Sequence, residues 1–367
     1  MPSGFLTLII FILVLGGMIF VHEFGHFLAA RFFKIEVEEF GFGLPSYRLA
    51  TLFTWKGTEF TIHALPLGGF VRPKGENDPS IEGGLAAANP WKRLVVLFSG
   101  PLMNLLTAVL VFAILIAMTG MPASGPIRVA DVSPGSPAEQ AGFKSGDTIT
   151  AIDGVRVTDV DQAIASIQAS LDSPLLIEVE RLGEHLTLTA TPLSSRPEQE
   201  GALGIGLQPA TRPATFSEVA IGALTITGLQ AAAILYLPIA LIGGVIAPED
   251  ARVVGFKGIF DMFNVAVQED VQSRQGAAGA ALPPRPSNWT LNLIGILSVT
   301  LGVMNLLPIP ALDGGRILFT LPEILIRRRI PPQLENVVNG LAMLVLIALL
   351  LFVNLMDFIN PAKIPFP

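Results

Sequence analysis

Cysteine is absent from this chain, and histidine and charged residues are scarce. The 367 residues include no cysteine, four histidines and only 14% charged residues. Without cysteine there can be no disulfide, no thiolate metal site and no thiol nucleophile. A soluble globular protein carries about a quarter charged residues, so the shortage of charge indicates a membrane protein. Any metal must be held by histidine, aspartate or glutamate.

A signal for nucleic-acid binding is also missing. The net charge is −7, and the basic residues do not form a patch interleaved with aromatic residues. Such patches are typical of proteins that bind the phosphate backbone. We therefore expect no nucleic-acid partner.

Long apolar runs predict the segments that cross a lipid bilayer. Four runs, at 5–30, 94–118, 291–307 and 337–355, are long enough to cross a hydrocarbon core of about 30 Å. No lysine or arginine precedes Arg31, so the first run lacks the basic region of a signal peptide and is expected to be retained. The sequence predicts a polytopic α-helical membrane protein with about four transmembrane helices.

A fifth apolar run, at 221–246, is interrupted by several glycines and by Pro238. We expect it to be a re-entrant or interfacial helix that makes no net crossing. Basic residues cluster after the first and third predicted spans, and such segments tend to face the cytoplasm. The N-terminus and the long region after the second span are then expected outside the cytoplasm.

Between residues 125 and 210 the composition changes to that of a soluble domain. Alternating apolar residues predict strands at 127–132, 176–181 and 186–191. The stretch Ser133-Pro-Gly-Ser-Pro-Ala-Glu-Gln-Ala-Gly-Phe-Lys-Ser-Gly-Asp147 resembles a PDZ domain of the type found with bacterial proteases; the alternative is another small β-rich domain with glycine turns. PDZ domains bind peptide tails by adding an extended strand beside one of their own.

The segment His22-Glu-Phe-Gly-His26 predicts a metal site. Two histidines four residues apart lie on one face of a helix, so both can reach one zinc ion while Glu23 stands beside them. Glu23 would be the general base for a water that the zinc activates. The alternative is a chance match, but ionisable side chains near the end of a spanning segment are costly and tend to be functional.

A catalytic zinc site needs a third protein ligand and keeps one position open. His63 lies in a strand-like segment and His185 in the PDZ-like region, so both are poor candidates. Asp313 is a better one, because Pro308, Pro310 and the glycines after Asp313 break the helix at membrane depth. In the alternative interpretation, Asp313 simply caps the next helix.

Together, His22–His26 and the segment Asn305-Leu-Leu-Pro-Ile-Pro-Ala-Leu-Asp313-Gly-Gly resemble the site-2 protease family of intramembrane zinc metalloproteases. The PDZ-like region makes the chain similar to the bacterial RseP-like type, although only one such region is visible. The resemblance implies Zn²⁺ held by His22, His26 and Asp313, with Glu23 as the catalytic base. It also implies a multi-pass protein of the bacterial inner membrane, with the active site near the cytoplasmic side.

The resemblance further implies residues that handle substrate. Asn305 matches an asparagine near the metal, although a helix-packing hydrogen bond would also explain it. Gly68 and Gly69 follow the strand-like segment 58–63 and match a membrane-associated β-element that holds substrate as an added strand; a plain surface hairpin is the alternative. Asn104, in Phe98-Ser-Gly-Pro-Leu-Met-Asn104, can bridge helices, and we interpret it as a packing residue.

These patterns predict four parts of the chain. Residues 1–124 hold two spans, the histidine pair and a cytoplasmic β-element, and 125–210 form the PDZ domain. Residues 211–289 form the interfacial or re-entrant helix and a linker, because 268–288 are rich in small residues and proline. Residues 290–367 hold two more spans and the third metal ligand.

The predicted function is an intramembrane zinc metalloendopeptidase that cleaves single-span membrane proteins in the lipid bilayer. The family implies substrates such as anti-sigma factors or remnant signal peptides. The alternative is a PDZ-bearing membrane scaffold without catalysis. Glu23 separates the two functions, because a closed structural metal site does not need a general base.

Overall fold

The computed structural model describes residues 4–65, 68–123, 125–195, 201–209, 211–245, 253–277 and 287–361. The chain divides into two compact units. The first unit comprises Met1–Ala113, Ile221–Val267 and Thr290–Pro367, and the second comprises Ile114–Ala220 and Gln268–Trp289.

The helices in the described residues are α1 Gly4–Phe32, α2 Pro90–Thr119, α3 Pro137–Ala141, α4 Val160–Ala169, α5 Phe216–Ile242, α6 Phe256–Ala277, α7 Trp289–Leu306, α8 Asp313–Ile326 and α9 Pro332–Ile359. Five of them, α1, α2, α5, α7 and α9, are long and apolar enough to cross a membrane. The four predicted spans coincide with α1, α2, α7 and α9. The fifth apolar run is a continuous helix, α5, despite Pro238 within it; its interfacial placement stays a prediction.

A four-stranded sheet follows α1 in the first unit. Its strands are β1 Val37–Phe42, β2 Arg48–Trp55, β3 Thr58–His63 and β4 Gly69–Pro73. The order is β2-β3-β1-β4, with β1 and β3 parallel and the other pairs antiparallel. Phe40 of β1 is fully buried and packs on Phe27 of α1. This packing holds the sheet against α1. Because β4 is the last strand in the order, it forms an edge of the sheet.

The second unit is built on a six-stranded sheet. Strands β6 Ile127–Val132, β7 Thr148–Ile152, β9 Leu175–Arg181, β10 Glu184–Ala190 and β11 Ile205–Gln208 lie in the order β10-β9-β7-β6-β11, and β8 Val155–Arg156 pairs with β7. A two-stranded ribbon joins β5 Met121–Pro122 to β12 Thr211–Arg212. Ile127 and Val129 of β6, and Ile177 and Val179 of β9, are fully buried, so alternate side chains of these two predicted strands point into the core.

The linker predicted at 268–288 is partly wrong. Residues 268–277 belong to α6, while 278–286 lie outside the described residues. The start of α6 is stabilised by Asp357 of α9, whose Oδ2 accepts hydrogen bonds from the backbone N–H groups of Gly255 (2.8 Å) and Gly258 (3.1 Å). Such capping satisfies N–H groups that have no partner within the helix. This contact joins distant parts of the chain and cannot be predicted from local composition.

Candidate metal centre

The two histidines of α1 and the aspartate of α8 come together in the first unit. His22 Nε2 lies 3.0 Å and His26 Nε2 lies 3.3 Å from Asp313 Oδ2, and the two Nε2 atoms are 3.2 Å apart. Within the described part of the chain, these are the three side chains grouped closely enough to hold a metal ion. The predicted meeting of residues from opposite ends of the sequence therefore occurs.

These separations fit a zinc ion. Ligand atoms about 2.0–2.1 Å from a tetrahedral zinc lie about 3.3 Å from one another, which is close to the distances between the three side chains. Two imidazoles and a carboxylate are also the donors that a catalytic zinc site uses. The side chains are mostly buried, at 10–16% exposure, so bulk water does not compete for them from all sides.

The backbone after α7 brings Asp313 to this place. Gly314 and Gly315 pack directly on the turn that precedes α8, because a Cβ atom would lie 2.1 Å from the Leu307 carbonyl oxygen and 2.4 Å from that of Ile309. Asp313 is the first residue of α8, and its carboxylate faces the histidines instead of capping the helix. A carboxylate at a helix N-terminus is also favoured by the helix dipole.

Close contact between α1 and α2 completes the site. A Cβ at Gly25 would lie 2.4 Å from the Ser99 carbonyl oxygen, and a Cβ at Gly100 would lie 2.3 Å from His26 Nε2 and 2.9 Å from His22 Nε2. Small residues let helix backbones approach in this way. Gly100 therefore leaves open the space in front of both Nε2 atoms, where an ion would sit.

The opposite ring nitrogens of both histidines face α2. His26 Nδ1 lies 2.7 Å from the carbonyl oxygen of Val96, and His22 Nδ1 lies 3.2 Å from Asn104 Nδ2. Val96, Gly100 and Asn104 are spaced four residues apart and so share one face of α2. The sequence interpretation had assigned Asn104 to packing and had given no role to Val96; their shared spacing was the available signal.

Glu23 lies beside the metal ligands and contacts the edge of the four-stranded sheet. Its Oε2 accepts a hydrogen bond from the backbone N–H of Val71 at 3.1 Å. Val71 pairs with Phe40 of β1, and its N–H points away from β1, toward the free edge of β4. Glu23 thus lies between the ligand set and the edge strand β4.

Of the predicted substrate-binding residues, Asn305 lines the cavity that holds the metal ligands, while Gly68 and Gly69 lie at the start of β4. Asn305 lines the same cavity of about 280 Å³ as the ligands, and its Nδ2 donates to the Leu301 carbonyl oxygen one turn earlier. Gly69 begins β4 and Gly68 precedes it. A Cβ at Gly68 would lie 3.0 Å from Ile19 of α1, and one at Gly69 would lie 3.0 Å from the Gly41 carbonyl oxygen of β1. Gly68 therefore lets the start of β4 lie close to the helix that carries Glu23, and Gly69 lets it lie close to β1.

His63 belongs to another cluster, in agreement with its exclusion as a ligand. Its Nε2 lies 3.1 Å from Oε1 of Glu39, a side chain only 2% exposed. Burial alone would raise the pKa of Glu39, but hydrogen bonds from Thr61 and His63 and the charges of Arg72 and Arg48 hold this pKa below its ordinary value. The cluster joins all four strands of the sheet, and the Glu39 carboxylate is bound by its neighbours within the sheet.

Two further polar residues line the cavity beside the ligands. Arg316, one turn after Asp313, pairs with Glu76 and donates to Asn77 Oδ1 at 2.7 Å. These contacts tie the segment that follows β4 to α8. Local sequence does not predict that Glu76 and Asn77 contact Arg316, because about 240 residues separate them from it.

Comparisons with known proteins identify the family of the chain. The sequence profile of peptidase family M50 matches residues 10–349. A protein of Clostridium perfringens, named as a candidate zinc metalloprotease, is 32% identical over 355 residues, covering 95% of this chain and 98% of the relative. A Campylobacter jejuni protein with the same kind of name is 31% identical over 358 residues, covering 94% and 91%.

A solved structure matches a much smaller part of this chain than the family profile does. The PDZ domain of the SdrC-like protein of Listeria monocytogenes aligns with 24% of this chain and 90% of its own length, at 20% identity and a TM-score of 0.21. The family profile, in contrast, covers nearly the whole sequence. The chain therefore belongs to peptidase family M50, the site-2 protease family, and is a zinc metalloprotease.

Proposed function

We propose that this protein is an intramembrane endopeptidase that cleaves the transmembrane segments of single-span membrane proteins. The observation that carries the proposal is the position of the metal-ligand set: two ligands and Glu23 lie on α1, which is long and apolar enough to span a bilayer. Many apolar side chains of the long helices are exposed, including Leu344, Val345 and Leu351 of α9 at 65–66%. Such a surface suits lipid.

The roles at the centre follow from donor chemistry. His22, His26 and Asp313 would hold the zinc ion, which supplies Lewis acidity to polarise a peptide carbonyl and make a water more acidic. Glu23 would take a proton from the attacking water and deliver it to the leaving amine. Its carboxylate lies beside the ligand set and accepts a hydrogen bond from the Val71 N–H, which holds it in place for both transfers.

Substrate would enter as an extended strand beside β4. A helical substrate hides its peptide groups in internal hydrogen bonds and must unwind before a water can attack. The free edge of β4 offers the Val71 N–H for strand pairing next to Glu23. Gly68 and Gly69 would give the strand its close approach, and the Asn305 amide in the same cavity would bind the unwound peptide.

The second unit would bind a peptide tail as a PDZ domain does. A cavity of about 680 Å³ lies beside α4 and β11, lined by apolar residues including Ile164, Ile167, Ile205 and Leu207. Because β11 is an edge of the six-stranded sheet, an extended peptide could pair with it. We place this domain outside the cytoplasm and the metal centre near the cytoplasmic side of a bacterial inner membrane.

The proposal is tested with purified protein in detergent and a panel of single-span substrates, including anti-sigma factors and remnant signal peptides. Fragments are mapped by mass spectrometry. We expect cuts within the apolar segment, loss of cutting after zinc chelation, and recovery when zinc is added back. Cuts confined to exposed loops would contradict intramembrane cleavage, and zinc binding without any cutting would favour a scaffold.

A further inference from the structure

Asn104 has an unusual buried environment beside the proposed zinc site. The residue is 1% exposed, and its Nδ2 lies 3.2 Å from His22 Nδ1. Its Oδ1 is buried and has no hydrogen-bond partner among the described residues. Leaving a buried acceptor unpaired is energetically costly. The amide therefore has an unused acceptor next to a ring nitrogen of a predicted metal ligand.

The tautomer of His22 depends on whether its Nδ1 atom faces a hydrogen-bond donor or an acceptor. An imidazole that gives the Nε2 lone pair to a metal carries its proton on Nδ1 and needs an acceptor there. With Nδ2 of Asn104 toward the ring, Nδ1 must instead be the acceptor and the proton lies on Nε2. That tautomer would donate its Nε2 proton to Asp313 Oδ2, 3.0 Å away, and would leave no Nε2 lone pair for a metal.

The neighbouring ligand shows the arrangement that metal binding requires. His26 Nδ1 lies 2.7 Å from the Val96 carbonyl oxygen, which can only accept, so the His26 proton is held on Nδ1 and Nε2 is free for the ion. Asn104 occupies the equivalent place for His22 on the same face of α2. Turning its amide by half a turn puts Oδ1 where Nδ2 now lies, at hydrogen-bond distance from His22 Nδ1.

We propose that Asn104 is a positioning residue that sets the His22 tautomer, with its Oδ1 turned toward the ring so that Nδ1 keeps its proton and Nε2 is free for zinc. In the loaded state Oδ1 accepts the Nδ1 proton of His22 and orients the ring toward the ion. Partners of this kind typically change metal affinity by about 10–100-fold when they are removed. The inference rests on the proposed zinc site.

The test compares zinc dissociation constants by competition with a chromophoric chelator. Asn104→Leu keeps a similar volume but removes the acceptor, and we expect zinc to bind about 10–100-fold more weakly. Asn104→Asp keeps an acceptor and is expected to restore affinity to within a few-fold of the parent. Ser298→Ala, at another fully buried polar side chain with an unpartnered hydroxyl, is the matched control and should bind zinc like the parent.

Thermal unfolding of each metal-free variant separates a folding defect from a change at the site. Equal affinity of Asn104→Leu and the parent would overturn the inference, as would an Asp variant that folds like the parent but binds as weakly as the Leu variant. If the Asp variant does not fold, the cobalt(II) absorption spectrum of Asn104→Leu decides: an unchanged ligand-field band overturns the inference. A parent protein that binds no zinc would instead contradict the proposed metal site.

Discussion

Gly100 determines at the residue scale whether an ion can reach both histidines. A Cβ there would occupy space 2.3 Å from His26 Nε2, well inside van der Waals contact. The helix crossing cannot relax cheaply, since a Cβ at Gly25 of α1 would likewise lie only 2.4 Å from the Ser99 carbonyl oxygen. The site therefore depends on having a residue without a side chain at position 100.

We predict that Gly100→Ala binds zinc at least about tenfold more weakly, because the metal affinity depends on ligand placement. The measurement is zinc content after equilibration with a chelator. Gly17→Ala is the control, since its Cβ would meet nothing within 4 Å, and it should bind zinc normally. Normal zinc binding by Gly100→Ala would show that α1 and α2 can separate.

The ligands could be predicted from the sequence, and their supports could not. His22 and His26 are four residues apart, a spacing that places both side chains on one face of any helix. Asp313 could be identified because its carboxylate lies where prolines and glycines break the helix. Val96, Gly100 and Asn104 gain their roles only because that face of α2 meets α1. This meeting depends on close packing between helices that local sequence does not specify.

At the scale of elements, β4 is the strand of the sheet that contacts the proposed catalytic base, Glu23. Its Val71 N–H contacts Glu23 in the absence of substrate. If a substrate strand paired with β4, one of its carbonyl oxygens would accept the hydrogen bond from this N–H in place of Glu23. Docking would then release the Glu23 carboxylate to act on water, so that strand pairing and activation of the base occur together.

We predict that Val71→Pro cuts substrate at least about tenfold more slowly while retaining zinc. Proline removes the N–H that faces the free edge, and proline is tolerated on edge strands. The cleavage rate and zinc content are measured together. Val71→Ala keeps the N–H and should cut at nearly the parent rate; a fully active proline variant would exclude strand pairing at this position.

The sequence predicted some elements of the first unit and missed others. Segment 58–63 was predicted as a strand, and it is β3. Strands β1 and β2 were missed, because β1 is buried on both faces and β2 is exposed throughout, so neither shows a clean alternation. Helix α6 was missed because its polar second half resembles a linker in composition, while its start is fixed by Asp357.

For the whole molecule, the placement of α5 decides whether α7 delivers Asp313 to the side of the bilayer where α1 places His26. If α5 makes no net crossing, α1 and α7 deliver His26 and Asp313 to one side of the bilayer. If α5 crosses alone, α7 would run the other way, and the observed ligand set would need another crossing segment. The geometry of the site therefore favours an interfacial or re-entrant α5.

The cysteine-free chain allows this topology to be tested with single cysteines. We predict that Glu184→Cys and Ile242→Cys react with an impermeant thiol reagent added outside intact cells. Ser80→Cys should react only after the membrane is opened. All three positions are exposed. Labelling of Ile242→Cys only from the inside would show that α5 crosses the membrane.

The most direct measurement for the central claim pairs cleavage with zinc content in the parent and in Glu23→Gln. Glutamine keeps the size of the side chain but cannot take a proton from water. We predict that the variant retains zinc like the parent and loses cleavage by at least about a hundredfold. A variant that still cuts single-span substrates at the parent rate would contradict the role of Glu23 and with it the proposed mechanism.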